Sequence, residues 1–160
     1  MNPILNKEPV KRVDKAIKEF DPDLKIVCLE KTARTAQDAA TALGCNIGAI
    51  VKSLLFTAGS NFVLCLVSGD KRCSLKILKK ILDEKDVSMA NPEDVKKITG
   101  YTIGGVSPVG HLIKIKIFID TNLERFTTVF AAAGHPNCIF KIEFNQLIKL
   151  TSGEIKKITE

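Results

Sequence analysis

Two apolar runs, residues 50–58 and 62–67, are separated by Gly59-Ser60-Asn61 alone. Three residues cannot hold the helical crossover that parallel neighbours require, so the two runs must pair antiparallel as a hairpin. That one link excludes a wholly parallel, doubly wound sheet. Two further strands are expected at 127–132 and 138–142, again joined by a short stretch, here with Gly134 and Pro136. Residues 114–120 alternate polar and apolar side chains, as a strand with one exposed face does, and 25–29 reads as a short strand.

Helical spacing lies between these runs. Val10, Val13, Ile17 and Phe20 recur at steps of three and four, while Lys11, Arg12, Lys15, Lys18 and Glu19 face elsewhere. This predicts an amphipathic helix over 9–20, ended by Asp21-Pro22-Asp23. Thr35, with Asp38 at the third position, opens a second helix, and Gly44 supplies its left-handed stop. Ser74 caps a third, reaching about Leu82. Asn91-Pro92-Glu93-Asp94 combines a cap, a first-turn Pro and two acids at the positive end of the helix dipole, with Gly100 as terminator. A last helix is expected at 145–150. The irregular order of elements and the lack of repeats or linkers predict one α+β domain. Its sheet should be mixed, largely antiparallel, with helices packed on it.

A chain of 160 residues can bury a core without a disulfide or a metal. Its 45% hydrophobic and 26% charged content excludes wholesale disorder. The charge of +6 leans weakly towards polyanionic partners. No apolar run reaches the ~18 residues of a membrane span, and residues 1–12 lack the apolar stretch of a signal peptide. No membrane partner and a cytoplasmic location are therefore expected. The cysteines are Cys28, Cys45, Cys65, Cys73 and Cys138, odd in number and without a CxxC pair. Only His111 and His135 could join them at a metal, and no ligand spacing links the two types, so no metal or other cofactor is expected. Free thiols suit a reducing compartment.

Three segments could carry chemistry. In Ile50-Val51-Lys52-Ser53-Leu54-Leu55-Phe56, alternation puts Lys52 on the face of Leu54 and Phe56, with Val51 and Leu55 on the other. An ammonium between two apolar faces must snorkel to water, find a carboxylate or meet an anionic ligand. Gly104-Gly105-Val106-Ser107-Pro108-Val109-Gly110 has the Gly and Pro content of a loop with a definite shape. Such a loop is either an ordinary connection or a cradle whose N–H groups converge on an oxyanion or phosphate. It is neither a P-loop nor a dinucleotide fingerprint. In Ala133-Gly134-His135-Pro136-Asn137, the Pro keeps His135 out of helical conformation, leaving it a water-exposed turn residue or a hydrogen-bonding group at a site. The basic run Lys71, Arg72, Lys76, Lys79 and Lys80 is a solvated face or a contact for a phosphate backbone.

In this order, the pieces resemble the YbaK/prolyl-tRNA synthetase-associated editing domains. They are Ala33-Arg34-Thr35-Ala36, Ile50-Val51-Lys52-Ser53-Leu54, Ser68-Gly69-Asp70, Gly100-Tyr101, Gly104 to Gly110, and Ala133 to Asn137. The similarity runs from about Lys31 to Thr151. The layout it implies is an N-terminal helix, residues 1–24, appended to an editing core of about 25–152. It also implies a trans-editing deacylase that hydrolyses the ester of a mischarged small amino acid, Ala or Cys class, on the 3′ end of a tRNA such as tRNA-Pro.

By the same resemblance, Lys52 is the essential residue, holding the terminal phosphate and steadying developing charge. Gly104, Gly105, Val106, Ser107 and Pro108 lie against the aminoacyl group, and Gly134 and His135 line its pocket. An aminoacyl-tRNA synthetase is an implied partner, and DNA is not. The alternative is a tRNA- or synthetase-binding module that keeps the fold without the catalysis. A Cys at 138 departs from the small apolar residue frequent there in the family.

Overall fold

The computed structural model describes residues 3–160; Met1 and Asn2, the start of the stretch read above for a leader, lie outside the described residues. Helices are α1 (Glu8–Phe20), α2 (Ala36–Leu43), α3 (Leu75–Leu82), α4 (Pro92–Thr99) and α5 (Phe144–Thr151). Strands are β1 (Ile26–Cys28), β2 (Ile50–Ala58), β3 (Asn61–Ser68), β4 (Val87–Met89), β5 (Lys116–Asp120), β6 (Thr128–Ala132), β7 (Cys138–Glu143) and β8 (Glu154–Lys156). The helix starts follow their caps: Thr35, Ser74 and Asn91 each accept a hydrogen bond from the backbone N–H three residues on. Gly44 and Gly100 end their helices in the left-handed conformation.

The strands form one mixed sheet in the order β1-β7-β6-β2-β3-β5-β8, with β4 attached to β2. The hairpin read from Gly59-Ser60-Asn61 is β2–β3, in register from Val51 opposite Ser68 to Ala58 opposite Asn61. Pairs β1–β7, β2–β4 and β6–β7 are also antiparallel, while β2–β6, β3–β5 and β5–β8 are parallel. The α+β class with a mixed sheet is thus the observed architecture. Strands β4 and β8 and a 3-10 turn at Thr121–Arg125 are additional to the sequence reading. Three-residue strands carry too little alternation to be recognised before their partners are known.

The sheet packs helices on both faces. On one side Val51, Leu55, Leu64, Leu66 and Ile119 meet Val10, Val13 and Ile17 of α1, with α4 and α5 beside them. Those three α1 residues have no exposed surface, and each such side chain contributes roughly 1.5–3 kcal/mol on burial. On the other side Phe56, Cys65, Val67 and Phe118 meet Leu78 of α3 and Ile158. There Ala39 and Ala40 of α2 cover Ile50 and Phe130.

One interruption positions everything that follows. The outer edge of β2 pairs with β6 only at Ile50 and Val51, and with β4 only from Phe56 to Ala58. Among the described residues, no strand lies alongside Lys52, Ser53 and Leu54 on that edge. The sheet splits there.

Candidate active site

The split opens into a cleft of about 330 Å³. Its floor is the unpaired length of β2, with Lys52, Ser53 and Leu54 all contributing. Arg34 and Thr35 ahead of α2 line it as well, together with Gly104 and Val106. Most of the remaining lining is aliphatic, including Ala90, Val95, Ala131 and Ile139.

Lys52 is half-buried, and its Nζ donates to the main-chain carbonyl of Lys71. Burial pushes its pKa below the ordinary lysine value, and the Arg72 charge adds to this, while Asp70 and Asp120 act the other way. Among the described residues, the ammonium thus has a carbonyl anchor but no carboxylate in salt-bridge contact. Its charge remains available to an anionic ligand.

Asp70 is occupied elsewhere. Arg125 clamps it with two hydrogen bonds, of 3.0 Å and 2.7 Å, and also donates to Ser68 Oγ at 2.8 Å. Ser68 Oγ in turn donates to the Gly48 carbonyl. Between them Gly69 touches backbone so closely that a Cβ would lie 2.2 Å from the Ile47 carbonyl oxygen. Ser68-Gly69-Asp70 is a strut that fixes the end of β3 against the start of β2. The arginine clamp holds Asp70 down at about 2, against an ordinary 3.8. A depressed carboxylate pKa contributes stability in full above the unfolded value, and the contribution fades as pH falls towards the folded one. Because the side chains are 31% and 40% exposed, the pair contributes at most about 1 kcal/mol. Urea titrations of the parent and Asp70→Asn should differ by that amount at pH 6 and converge near pH 2.

The glycine-rich loop is pinned at both ends. Tyr101, fully buried, donates to the Val109 carbonyl at 2.7 Å, and Arg12 of α1 lies 4.7 Å over its ring. Arg12 Nε also donates to the Gly110 carbonyl at 2.8 Å. Gly104 has φ +95°, and a Cβ there would meet the Arg34 stem at 2.7 Å, so glycine lets Arg34 lie across the loop. Gly105 abuts the β6–β7 turn: its carbonyl accepts from Gly134 N–H at 3.0 Å, and a Cβ on it would sit 2.9 Å from His135 N.

Gly104 and Val106 therefore face the cleft with Lys52, whereas Gly105, Ser107, Pro108, Gly134 and His135 are not in its lining. Ser107 and Pro108 are buried behind the wall, where the Ser107 carbonyl accepts from His111 Nε2–H at 2.7 Å. Gly134 packs on Pro9 and Val10 of α1. His135 Nδ1 accepts from Asn137 N–H at 3.0 Å, and burial pushes the pKa of the imidazole down. These residues form the backing of the wall, one layer from the cleft. The sequence reading did not single out Arg34 as a site residue, nor Phe130 and Met89 as lining. Arg34 stood within a quoted motif, but nothing local tells that its stem crosses Gly104.

This fold and cleft have counterparts among known proteins. The aminoacyl-tRNA editing domain family matches residues 30–150, and the chain belongs to that family. It is 28% identical over 127 residues to a candidate Cys-tRNA(Pro)/Cys-tRNA(Cys) deacylase, EbsC, of Enterococcus faecalis, covering 78% of this chain and 77% of that protein. It is 40% identical over 92 residues to the proline–tRNA ligase of Lactobacillus acidophilus, covering 58% of this chain but only 16% of the ligase. The crystal structure of a candidate trans-editing enzyme for prolyl tRNA synthetase superposes with a TM-score of 0.90 at 35% identity, covering 96% of this chain and 98% of that one. Among the described residues, no helix is long and apolar enough to cross a membrane, and no group of three His, Cys, Asp or Glu could hold a metal ion.

Proposed function

We propose that this protein acts in trans as an aminoacyl-tRNA deacylase, hydrolysing the ester between a mischarged amino acid of the Ala or Cys class and the 3′ end of tRNA-Pro. The observation that carries this reading is that the cationic Lys52 lines the same small, mostly apolar cleft as Gly104 and Val106. Family membership and the likeness to a candidate trans-editing enzyme support it.

The need for such an activity is physical. A synthetase pocket separates amino acids differing by one methylene by only about 1–3 kcal/mol, so small misfits are charged and must be removed afterwards. Here Lys52 holds the phosphate of the terminal adenosine and orients the ester. The acyl group lies against Gly104 and Val106, within a cleft whose volume suits a small side chain. Water hydrogen-bonded to the adenosine 2′-hydroxyl attacks the ester carbon, and its proton is relayed through that hydroxyl to the departing ribose 3′ oxygen. The resulting oxyanion is steadied by Lys52 and the loop N–H groups; it collapses, and the ribose 3′ oxygen leaves with a proton. Because the ester is already activated, positioning and electrostatics supply most of the acceleration. A proline–tRNA ligase is the proposed partner for tRNA delivery, on the strength of the shared domain.

The test is deacylation of tRNA-Pro carrying Ala, Cys, Ser or Pro. Hydrolysis of Ala or Cys esters with Pro spared is the expected result; tight tRNA binding without hydrolysis of any would replace the enzyme by a binding module. We further propose that His135 sets the selectivity from behind the wall: its Nδ1 accepts from Asn137 N–H and so holds the turn whose Gly134 is bonded to Gly105. His135→Ala should shift the ratio of Ala to Cys hydrolysis by about tenfold, equal to the ~1.4 kcal/mol of one lost hydrogen bond. An unchanged ratio removes His135 from the selectivity role.

A further inference from the structure

Strands β1 and β7 bring two cysteines face to face. Cys28 and Cys138 are direct partners in the antiparallel register, and their sulfurs lie 3.3 Å apart. The next pair, Leu29 and Asn137, is the hydrogen-bonded one, with Leu29 N–H donating to the Asn137 carbonyl at 2.7 Å. Antiparallel pairs alternate in type, so Cys28 and Cys138 occupy a non-hydrogen-bonded position, where Cα atoms stand about 4.5 Å apart. Disulfides span Cα separations of about 4.4–6.8 Å, so a bond here fits at the short end of the range. A bond at that limit is of the readily reduced kind.

The two sulfurs differ in access. Cys138 is fully buried, and burial together with the Cys28 contact pushes its thiol up to about 12. Cys28 is only half-buried, on β1 at the edge of the sheet. We propose that Cys28 and Cys138 form a reversible disulfide site, oxidised by small disulfides such as glutathione disulfide, that ties β1 to the turn carrying His135. The Cys28 thiolate attacks one sulfur of glutathione disulfide, forms a mixed disulfide and releases one glutathione thiolate. Cys138 then gives up its proton and attacks Cys28 Sγ, displacing the second glutathione. Two protein thiols lose two hydrogens, and one glutathione disulfide becomes two glutathione thiols.

The bond acts where the wall is braced. Cys138 N–H donates to the His135 carbonyl at 3.0 Å, and the Cys138 carbonyl accepts from Ala133 N–H at 2.9 Å, so Cys138 closes the turn from both sides. The same turn holds Gly105 through Gly134. Oxidation stiffens the segment from Gly134 to Cys138, one layer behind the cleft. This site stands independently of the deacylase reading, because its signature is chemical rather than catalytic.

The experiment exposes the full chain to glutathione disulfide, blocks remaining thiols by alkylation and maps peptides by mass spectrometry. The expected product lacks two hydrogens, carries a Cys28–Cys138 cross-linked peptide and reverts with dithiothreitol. Cys28→Ser, at the half-buried position, should give no intramolecular bond and fold as the parent does. Amide exchange at 134–138 should slow several-fold in the oxidised protein. The proposal is overturned if Cys28 stops at a stable mixed disulfide, if all five thiols stay reduced, or if the bond maps to Cys65 and Cys73. Unchanged amide exchange in a cross-linked protein removes the link to the His135 turn.

Discussion

Lys52→Ala is expected to lower kcat/KM for deacylation by about 10²–10³-fold, the usual cost of removing one preorganised group that meets developing charge. The fold should survive, and the direction of the Lys52 pKa explains why. Burial holds it below the ordinary lysine value, so the folded state disfavours the proton relative to the unfolded chain. While both states are protonated that difference counts against stability; it begins to fade as pH rises through the folded value and is gone above the unfolded one. Removing the charge removes the penalty. Lys52→Met, which keeps an apolar stem of similar length, should therefore match or exceed the parent Tm while losing the same activity. Near-parental turnover in either variant would dismiss the proposed site; a large fall in Tm would mean that the ammonium–carbonyl contact with Lys71 is structural.

Gly69→Ala should cause the largest loss of stability. The added methyl would lie 2.2 Å from the Ile47 carbonyl oxygen, 3.1 Å from Ile50 Cβ and 3.2 Å from Ala36 Cβ. The first obstacle is backbone, so no side-chain rotation relieves it. Overpacking of this kind costs about 3 kcal/mol, which in a chain of this size lowers Tm by roughly 10 °C. The shift needed to admit the methyl would push the start of β2, two residues before Lys52, away from the end of β3. Activity should fall further than the unfolded fraction predicts. Calorimetry beside a deacylation assay at 25 °C separates the two contributions, and a Tm within a degree of the parent would contradict the strut.

Much of the fold was legible because its signals are local. Gly59-Ser60-Asn61 announced the hairpin, Thr35, Ser74 and Asn91 announced helix starts, and the 10–13–17 spacing announced the buried face of α1. Strand β8 was not legible, since Glu154-Ile155-Lys156 gains meaning only from its partner β5. The candidate site divides the same way. The positions of Lys52 and the glycine-rich loop emerged from motifs, but their meeting in one cleft depends on where β6 leaves β2 and β4 joins it. Likewise, Ser68-Gly69-Asp70 is recognisable as a motif, yet its work as a strut depends on Arg125, fifty-five residues further on.

The gap between β6 and β4 has a consequence for how selectivity can drift. An aperture bounded by two strands widens or narrows when either strand changes its angle, without any change in the residues that line it. Substitutions at 83–88, ahead of the lining residues Met89 and Ala90, or beneath Phe130, would tune admission from a distance, as the frame of a window governs its opening. Swapping those outer segments between relatives, while leaving Lys52 and the glycines untouched, is thus a direct route to exchanging their preferences.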